Sequence, residues 1–155
     1  FGKIIGNGAT NVIPDEVYIE GTFRTMNEDW RAQAKIKMKA LAEKVANEMG
    51  GSCNYVIENG YPFLVNDATT TTRAWKAAEE YLGKENVEEL PLRMTAEDFA
   101  FYSQKIPACF YRLGTANKAK GITSGVHTAT FDIDEKALEI GAGLLAWLAV
   151  NELEG

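Results

Sequence analysis

The hydrophobic pattern of this 155-residue chain changes along its length, and the change limits the folds that the chain can adopt. Over residues 17–25, apolar and polar side chains alternate, which is typical of a strand with one buried face. Over residues 30–49, apolar side chains recur every three or four positions, which predicts an amphipathic helix. In the second half of the chain, the pattern of apolar side chains predicts short strands separated by helices. We therefore predict an α+β module followed by an α/β module.

Capping residues predict where the helices begin and end. Asn27 and Asp134 precede the first and the last amphipathic stretches, so each is predicted to be a helix N-cap. Another helix is predicted over residues 68–82, where a glycine follows the last apolar position. Thr95 followed by Asp98 resembles a capping box, which predicts a further short helix.

Three further segments have the pattern of β-strands. Ile4 and Ile5 precede a Gly-Asn-Gly turn signal and are predicted to pair with the strand at residues 17–25. Residues 52–59 alternate between apolar and polar side chains, which predicts a second half-buried strand. Residues 108–111 form a short apolar run, as in a strand that is covered on both faces.

Charge and composition exclude several classes of function. The chain has 16 Lys and Arg against 22 Asp and Glu, a net charge of −6, whereas a nucleic-acid binder presents a basic face. No apolar run reaches the roughly 20 residues of a membrane span. Two cysteines are too few for a disulfide scaffold. We therefore expect a cytoplasmic protein with no nucleic-acid or membrane partner.

The chain contains a single histidine, His127, which follows a glycine-rich loop. A zinc site with several imidazole ligands therefore cannot come from this chain alone. By position alone, His127 is either a structural or exposed residue, or a metal ligand or acid–base group. Ser124 is too close in sequence to form a triad with it, and no nucleophile elbow surrounds that serine.

Two adjacent carboxylates, Glu97 and Asp98, are further candidates. Both are predicted in the first turn of a helix, where they would interact favourably with its dipole. Adjacent helical residues point about 100° apart, so the two make a poor acid–base pair. One of them could instead orient an imidazole ligand of a metal ion.

Arg24 and Asn11 are candidates for binding a substrate. Arg24 either forms an exposed ion pair on the polar face that it shares with Glu20, or binds a carboxylate through two parallel hydrogen bonds. Asn11 is either a turn residue or a side-chain amide that donates to a carbonyl or an oxyanion.

Four motifs together resemble one family of enzymes. The chain is similar to the aminoacylase/carboxypeptidase family of dinuclear metallopeptidases, and most of all to its hippurate hydrolase and auxin-conjugate amidohydrolase branch. The motifs span nearly the whole chain in the order of the family. They are GNGATNVIPD at residues 6–15, EGTFRT at 20–25, MTAEDF at 94–99, and GVH at 125–127 with FDIDE at 131–135.

The resemblance implies a reaction and a set of roles. Members of the family hydrolyse the amide between an acyl group and an amino acid, using two divalent ions (Zn, Mn, Co or Ni) that activate a water. By this resemblance His127 is a metal ligand, and Glu97 and Asp98 lie near the metal centre. Asn11 and Arg24 are implied to bind the carbonyl and the carboxylate of the substrate from a lid domain.

The same resemblance implies that the chain is incomplete. The catalytic glutamate base and the other metal ligands of the family lie upstream of the matched motifs. Residues 1–62 then correspond to the latter part of a ferredoxin-like lid, through which the family forms homodimers. Residues 63–155 correspond to the closing part of the α/β catalytic domain.

Three functions follow as hypotheses. The first is a metal-dependent amidohydrolase acting on N-acyl amino acids, in which this chain needs the missing N-terminal portion for catalysis. The second is a non-catalytic module that keeps the dimerising surface of the lid. The third is a dipeptidase or deacetylase of the same family.

Overall fold

The computed structural model describes residues 1–154 and confirms a mixture of α and β structure. The described residues form two compact units, one of Phe1–Phe63 with Met94–Ala96, the other of Leu64–Arg93 with the residues from Glu97 onward. Their assignment to a lid and to a catalytic domain stays a prediction. The strands are β1 (Lys3–Gly6) and β2 (Val17–Glu20), and the helices are α1 (Glu28–Glu48), α2 (Ala68–Leu82), α3 (Ala100–Ser103) and α4 (Lys136–Glu154).

The first unit contains an antiparallel sheet of two strands, β1 and β2. Lys3 pairs with Glu20 at one end and Gly6 with Val17 at the other, next to the connection between the strands. The prediction that β2 continues to residue 25 is wrong. The backbone pairing ends with the hydrogen bond from the Gly2 amide to the Glu20 carbonyl, so residues 21–25 have no strand beside them.

The connection between the strands is a tight turn that displays Asn11. Ala9 and Val12 exchange two backbone hydrogen bonds of 3.1 Å, which leaves Thr10 and Asn11 at the tip. Gly8 allows this turn, because a Cβ at that position would overlap the Val12 carbonyl oxygen.

Helix α1 begins where the sequence predicts. The amide of Trp30 donates to the Asn27 side chain at 2.8 Å, so Asn27 is the N-cap. Glu28 and Asp29 lie in the first turn, where the helix dipole favours carboxylates. The helix ends before Gly50, whose φ of 79° is in the left-handed region that favours glycine.

Residues 52–59 do not form the predicted strand. Their exposure still alternates, with Cys53, Tyr55 and Ile57 half-buried and the intervening side chains exposed. Hydrogen bonds to α1 hold the end of this segment, including one from the Arg31 guanidinium to the Tyr61 carbonyl at 2.7 Å. The side-chain pattern is that of a strand, but no described strand lies beside it to complete a ladder.

In the second unit, α2 and α4 pack antiparallel. Ala77 of α2 and Leu144 of α4 are both buried, at 5% and 3% exposed. The Trp147 indole donates to the Ala77 carbonyl at 3.0 Å, and its ring stacks on Tyr81 with centroids 6.4 Å apart. Gly143 permits the close approach, because a Cβ there would overlap the Tyr81 hydroxyl oxygen. None of the helices over residues 1–154 is both long and apolar enough to cross a membrane.

The predictions for residues 95–111 are wrong in two places. Helix α3 begins at Ala100 after Phe99, with no side-chain cap, so Thr95 and Asp98 do not form a capping box. Residues 108–111 are not a ladder strand. The Asn66 side chain takes the place of a neighbouring strand, accepting from the Phe110 amide at 2.8 Å and donating to its carbonyl at 2.9 Å. The only backbone bond beside it among the described residues joins Asp67 to Ala108.

The contact between α2 and α4 predicts different effects for two adjacent leucines. Replacing buried Leu144 by alanine should destabilise this chain by about 2–4 kcal/mol, because it leaves a cavity. Leu145→Ala is the matched control, since Leu145 is 62% exposed, and its effect should stay within about 0.5 kcal/mol. Urea unfolding of both variants measures the difference, and equal losses would contradict the packing described here.

Candidate functional site

His127 lies at a strained position in the loop before α4. Its φ is 65°, which makes it the one non-glycine residue in the left-handed region among residues 1–154. A side chain in this region costs about 1–2 kcal/mol. Such strain persists only where the surrounding structure holds it, and it is concentrated at functional sites.

Hydroxyl groups on both sides hold the backbone around His127. The Ser124 and Thr130 hydroxyls are 2.8 Å apart and hydrogen-bonded, which joins the two sides of the loop. The Thr128 hydroxyl donates to the Gly125 carbonyl at 2.8 Å, which closes a turn around the histidine. The loop around the imidazole is therefore braced by side chains from its own segment.

The base of the loop is held by a cluster that we call the Asp134 clamp, formed by Asn117, Lys120 and Asp134. The Asn117 amide donates to one oxygen of Asp134 at 2.5 Å, and the Lys120 ammonium donates to the other at 2.7 Å. Asn117 also exchanges two backbone hydrogen bonds of 2.9 Å with Ile122. The clamp joins residues 117–122 to the start of α4, and so anchors the segment that contains His127.

The hydrogen bonds of the clamp shift the pKa values of its two charged residues, Asp134 and Lys120. Hydrogen bonds from Asn117, Lys120 and the Lys136 amide favour the charged carboxylate, and they lower the pKa of Asp134 from 3.8 to about 2. In turn, the hydrogen bond to Asp134 raises the pKa of the Lys120 ammonium. The clamp is therefore ionised throughout the physiological pH range.

The imidazole of His127 itself is exposed. Within the part of the chain that the structure describes, it takes part in no hydrogen bond, so both ring nitrogens are accessible. The described residues contain no group of three or more His, Cys, Asp or Glu side chains that could hold a metal ion. His127 therefore fits a metal ion as one ligand of a set, and not as a complete site.

Glu97 and Asp98 lie in the same unit as His127, in the turn that precedes α3. Glu97 is half-buried and its carboxylate accepts from the Phe99 amide at 3.4 Å. Asp98 is exposed and accepts from the Phe101 amide through its backbone carbonyl. No hydrogen bond within residues 1–154 joins either carboxylate to His127, so their predicted role near a metal stays a prediction.

Asn11 and Arg24 lie in the other unit, and both side chains are exposed. Asn11 occupies the connection at one end of the two-stranded sheet, whereas Arg24 follows the opposite end of β2. Glu20 forms its ion pair with Lys3 at 3.1 Å, so it is not the partner of Arg24. In the described chain the guanidinium of Arg24 has no ion pair, which leaves it available to a ligand.

Sequence reasoning missed the residues that support His127. Asn117 and Lys120 lie in a polar stretch that indicates only a turn, and Asp134 is recognisable only as a helix cap. Asp134 does accept from the Lys136 amide at 3.3 Å, so it caps α4 while it binds the loop. Nothing in the spacing of these three residues signals their pairing.

The lowered pKa of Asp134 predicts that the loop weakens in acid. Because the folded pKa lies near 2 and the unfolded value near 4, the contribution of Asp134 is complete above pH 4 and is lost as pH falls towards 2. The protection factors of the Asn117 and Ile122 amides, which compare the measured exchange rate with the intrinsic rate at the same pH, should fall over this range in the native chain.

In Asp134→Asn, the protection factors of these amides should already be low at pH 6 and should lack the acid-dependent step. Asp132→Asn is a matched control, because within residues 1–154 the Asp132 carboxylate accepts only from the adjacent Ile133 amide. The same pH profile in the native chain and in Asp134→Asn would contradict the clamp.

Comparison with known proteins places the chain in a family. Residues 3–151 match the family model described as peptidase family M20/M25/M40. Thermostable carboxypeptidase 2 of Saccharolobus solfataricus is 33% identical over 91% of this chain and 35% of its own length. IAA-amino acid hydrolase ILR1-like 4 of Arabidopsis thaliana is 34% identical over 97% of this chain and 35% of its own length. The putative amidohydrolase YhaA of Bacillus subtilis is 31% identical over 97% of this chain and 38% of its own length.

These relatives are much longer than the present chain, which spans 35–38% of their length. No solved structure matches it. The match nevertheless extends over nearly all of the chain and includes both compact units. It confirms the resemblance found in the sequence motifs: the chain belongs to peptidase family M20/M25/M40, a family of metal-dependent hydrolases.

Proposed function

We propose that this chain is the C-terminal part of a metal-dependent amidohydrolase that cleaves the amide bond of N-acyl amino acids. The observation that carries the proposal is His127, a single exposed imidazole held at a strained backbone position by the loop around it. Two relatives are named for related reactions, a carboxypeptidase and an IAA-amino acid hydrolase. Both names describe hydrolysis of a bond that joins an amino acid to the rest of the substrate.

His127 would be this chain's ligand to one of two divalent metal ions, which would be Zn, Mn, Co or Ni. When bound, such ions supply Lewis acidity and an activated water for attack on an amide carbonyl. A neutral imidazole is the commonest protein ligand for these metals, and the braced loop keeps its ring nitrogens accessible. Glu97 or Asp98 would orient the ligand from the same unit.

Arg24 and Asn11 would bind the substrate. A guanidinium forms two parallel hydrogen bonds with a carboxylate, which suits the free carboxylate of an N-acyl amino acid. The Asn11 amide, displayed at the tip of a turn, would donate to the carbonyl oxygen of the scissile bond. The general-base glutamate and the remaining ligands would come from the part of the family's polypeptide that this chain does not contain.

The amount of exposed surface supports this incompleteness. The accessible surface is 12,558 Å², whereas two separately folded units of these sizes would expose roughly 9,300 Å². On the two-stranded sheet, Ile4 is 68% exposed and Ile19 is 52% exposed. Apolar side chains on a sheet face are normally covered, and we propose that a homodimer through this unit covers part of them.

Replacement of His127 tests the proposal in the full-length protein that contains this chain. His127→Ala should reduce hydrolysis of hippurate at least 100-fold and remove one of the two bound ions per chain, because the metal loses a ligand. Mass spectrometry of metal content and a hydrolysis assay measure the two effects. Lys118→Ala is the control, since Lys118 lies in the same loop and takes no part in the Asp134 clamp.

The result also separates the alternatives. Unchanged metal content and activity in His127→Ala would reject the assignment of this residue. A native protein that neither binds divalent metal nor hydrolyses any N-acyl amino acid or dipeptide would support the non-catalytic module instead. Preference for dipeptides or acylated diamino acids over hippurate would identify the third hypothesis, the dipeptidase or deacetylase.

Replacement of Arg24 tests recognition of the carboxylate. Arg24→Ala should raise KM for an N-acyl amino acid by about 10–100-fold and leave KM for its methyl ester nearly unchanged, since the ester lacks the charge. Arg24→Lys keeps the positive charge without the two-bond geometry and should be intermediate. Steady-state kinetics on the matched acid and ester provide the measurement. Equal losses on both substrates would count against carboxylate binding.

A further inference from the structure

Hydrogen bonds close the loop around His127 at three levels, one inside another. Each bond joins a residue before the histidine to a residue after it, so His127 lies inside all three levels. The separation of the bonded residues falls from 17 positions for the Asn117–Asp134 side-chain bond to 3 at the innermost level. From the outside inwards, the bonded pairs are Thr115 and Asn117 with Asp134, Ser124 with Thr130, and Gly125 with Thr128.

The loop has little backbone hydrogen bonding of its own. In the part of the chain that the structure describes, a single backbone bond lies within residues 123–133, from the Phe131 amide to the Thr128 carbonyl at 3.2 Å. Residues 125–132 are all exposed, so packing against a core does not order them. The conformation of the loop therefore depends on the side-chain bonds that close it.

Asn117 uses both ends of its side-chain amide in the outermost level. Its Oδ1 atom accepts from the amides of Ala119 at 3.0 Å and Lys120 at 3.2 Å, which holds the 3₁₀ turn at Lys118–Lys120. Its Nδ2 atom donates to Asp134, and the turn brings the Lys120 ammonium to the other oxygen of that carboxylate. The Asp134 side chain is only 14% exposed. The carboxylate is largely removed from water, so it depends on these donors.

Such a closure has a consequence for metal binding. A zinc ion binds an imidazole nitrogen at about 2.0–2.1 Å, so the ligand must be held close to one position. When a site is formed for only a fraction of the time, its affinity is reduced by that fraction. Opening of the outermost level would let the left-handed backbone of His127, with its φ of 65°, relax. Metal affinity would then fall with the population of the closed loop.

We propose that Asn117 and Lys120 are positioning residues of the His127 metal site, and that by closing the loop at Asp134 they set its affinity for a divalent cation. The inference rests on the proposed function, in which His127 is a metal ligand. The coupling is reciprocal, because a metal ion that favours the closed loop strengthens the Asp134 clamp by the same factor. In this role neither residue touches the metal or the substrate.

A clamp that only stabilises the fold would behave differently. Its loss would lower the free energy of unfolding but leave the zinc affinity of the folded protein unchanged. Zinc binding would in turn leave the protection of the clamp amides unchanged. Zinc affinity and zinc-dependent protection therefore distinguish a positioning role from a structural one.

The first test titrates zinc into the metal-free, full-length protein that contains this chain. Asn117→Asp keeps the oxygen that holds the 3₁₀ turn, but it replaces the amide donor by a carboxylate that repels Asp134. Zinc affinity at the His127 site should fall at least 10-fold. Lys118→Ala is the matched control, because Lys118 lies in the same turn outside the clamp, and its effect should stay within twofold. Native zinc affinity in Asn117→Asp would overturn the inference.

A double variant exchanges donor and acceptor. When Asn117→Asp is combined with Asp134→Asn, the amide donates from position 134 and the carboxylate accepts at position 117, with the net charge of the native pair. Zinc affinity should return to within about threefold of the native value, although each single change weakens it. A double variant whose loss equals the product of the two single losses would contradict the pairing.

The second test uses the native sequence, so it decides the question even when Asn117→Asp does not fold. Zinc added to the metal-free, full-length protein should raise the protection factors of the Asn117 and Ile122 amides at least 10-fold. His127→Ala should show no such gain, because the ion at this site loses its ligand from the loop. Hydrogen exchange with and without zinc provides the measurement. Unchanged protection in the native protein would overturn the inference.

The two tests do not depend on hydrolysis, so the inference and the proposed function can fail separately. Retention of both ions in His127→Ala would reject the ligand assignment on which the proposed function rests. Loss of one ion in His127→Ala, with clamp amides that do not respond to zinc in the native protein, would retain the metal site and reject the positioning role.

Discussion

The antiparallel packing of α2 against α4 is the contact on which the candidate metal-binding unit depends. Leu144 and Ala77 are buried, and the Trp147 indole donates to the Ala77 carbonyl of α2. Because Asp134 lies two residues before the start of α4, this packing also fixes the position of the carboxylate that binds the loop. The exposed imidazole of His127 is therefore supported through a series of contacts that begins in the apolar core.

The candidate site combines a left-handed backbone at His127 with hydrogen bonds that brace the loop around it. Left-handed backbone at a non-glycine residue is unfavourable, and here hydrogen bonds within the loop and at its base maintain it. In the Asp134 clamp, the ionised Asp134 carboxylate accepts charge-assisted hydrogen bonds from Asn117 and Lys120. These bonds hold a segment that is otherwise polar and exposed. His127 is thus an exposed residue on a loop that hydrogen bonds from its own segment hold in place.

Sequence reasoning succeeded where the interactions are local. Three correct predictions each depend on neighbours within four positions. They are Asn27 as an N-cap, the helix over residues 68–82 and the start of the last helix after Asp134. It failed for residues 21–25, 52–59 and 108–111, which have the side-chain alternation or apolar content of strands. A strand requires a second backbone beside it, and no described strand is available to those segments.

The sequence by itself determined the family, through motifs that are short and ordered, together with the starts of the three long helices and the candidate residues Asn11, Arg24 and His127. Tertiary structure decided what supports those residues. The hydrogen bond from Asn117 to Asp134 joins residues 17 positions apart, and His127 with its left-handed backbone lies in the loop between them. Long-range hydrogen bonds depend on how elements pack, and side-chain periodicity along one segment contains no information about which distant segment will lie beside it.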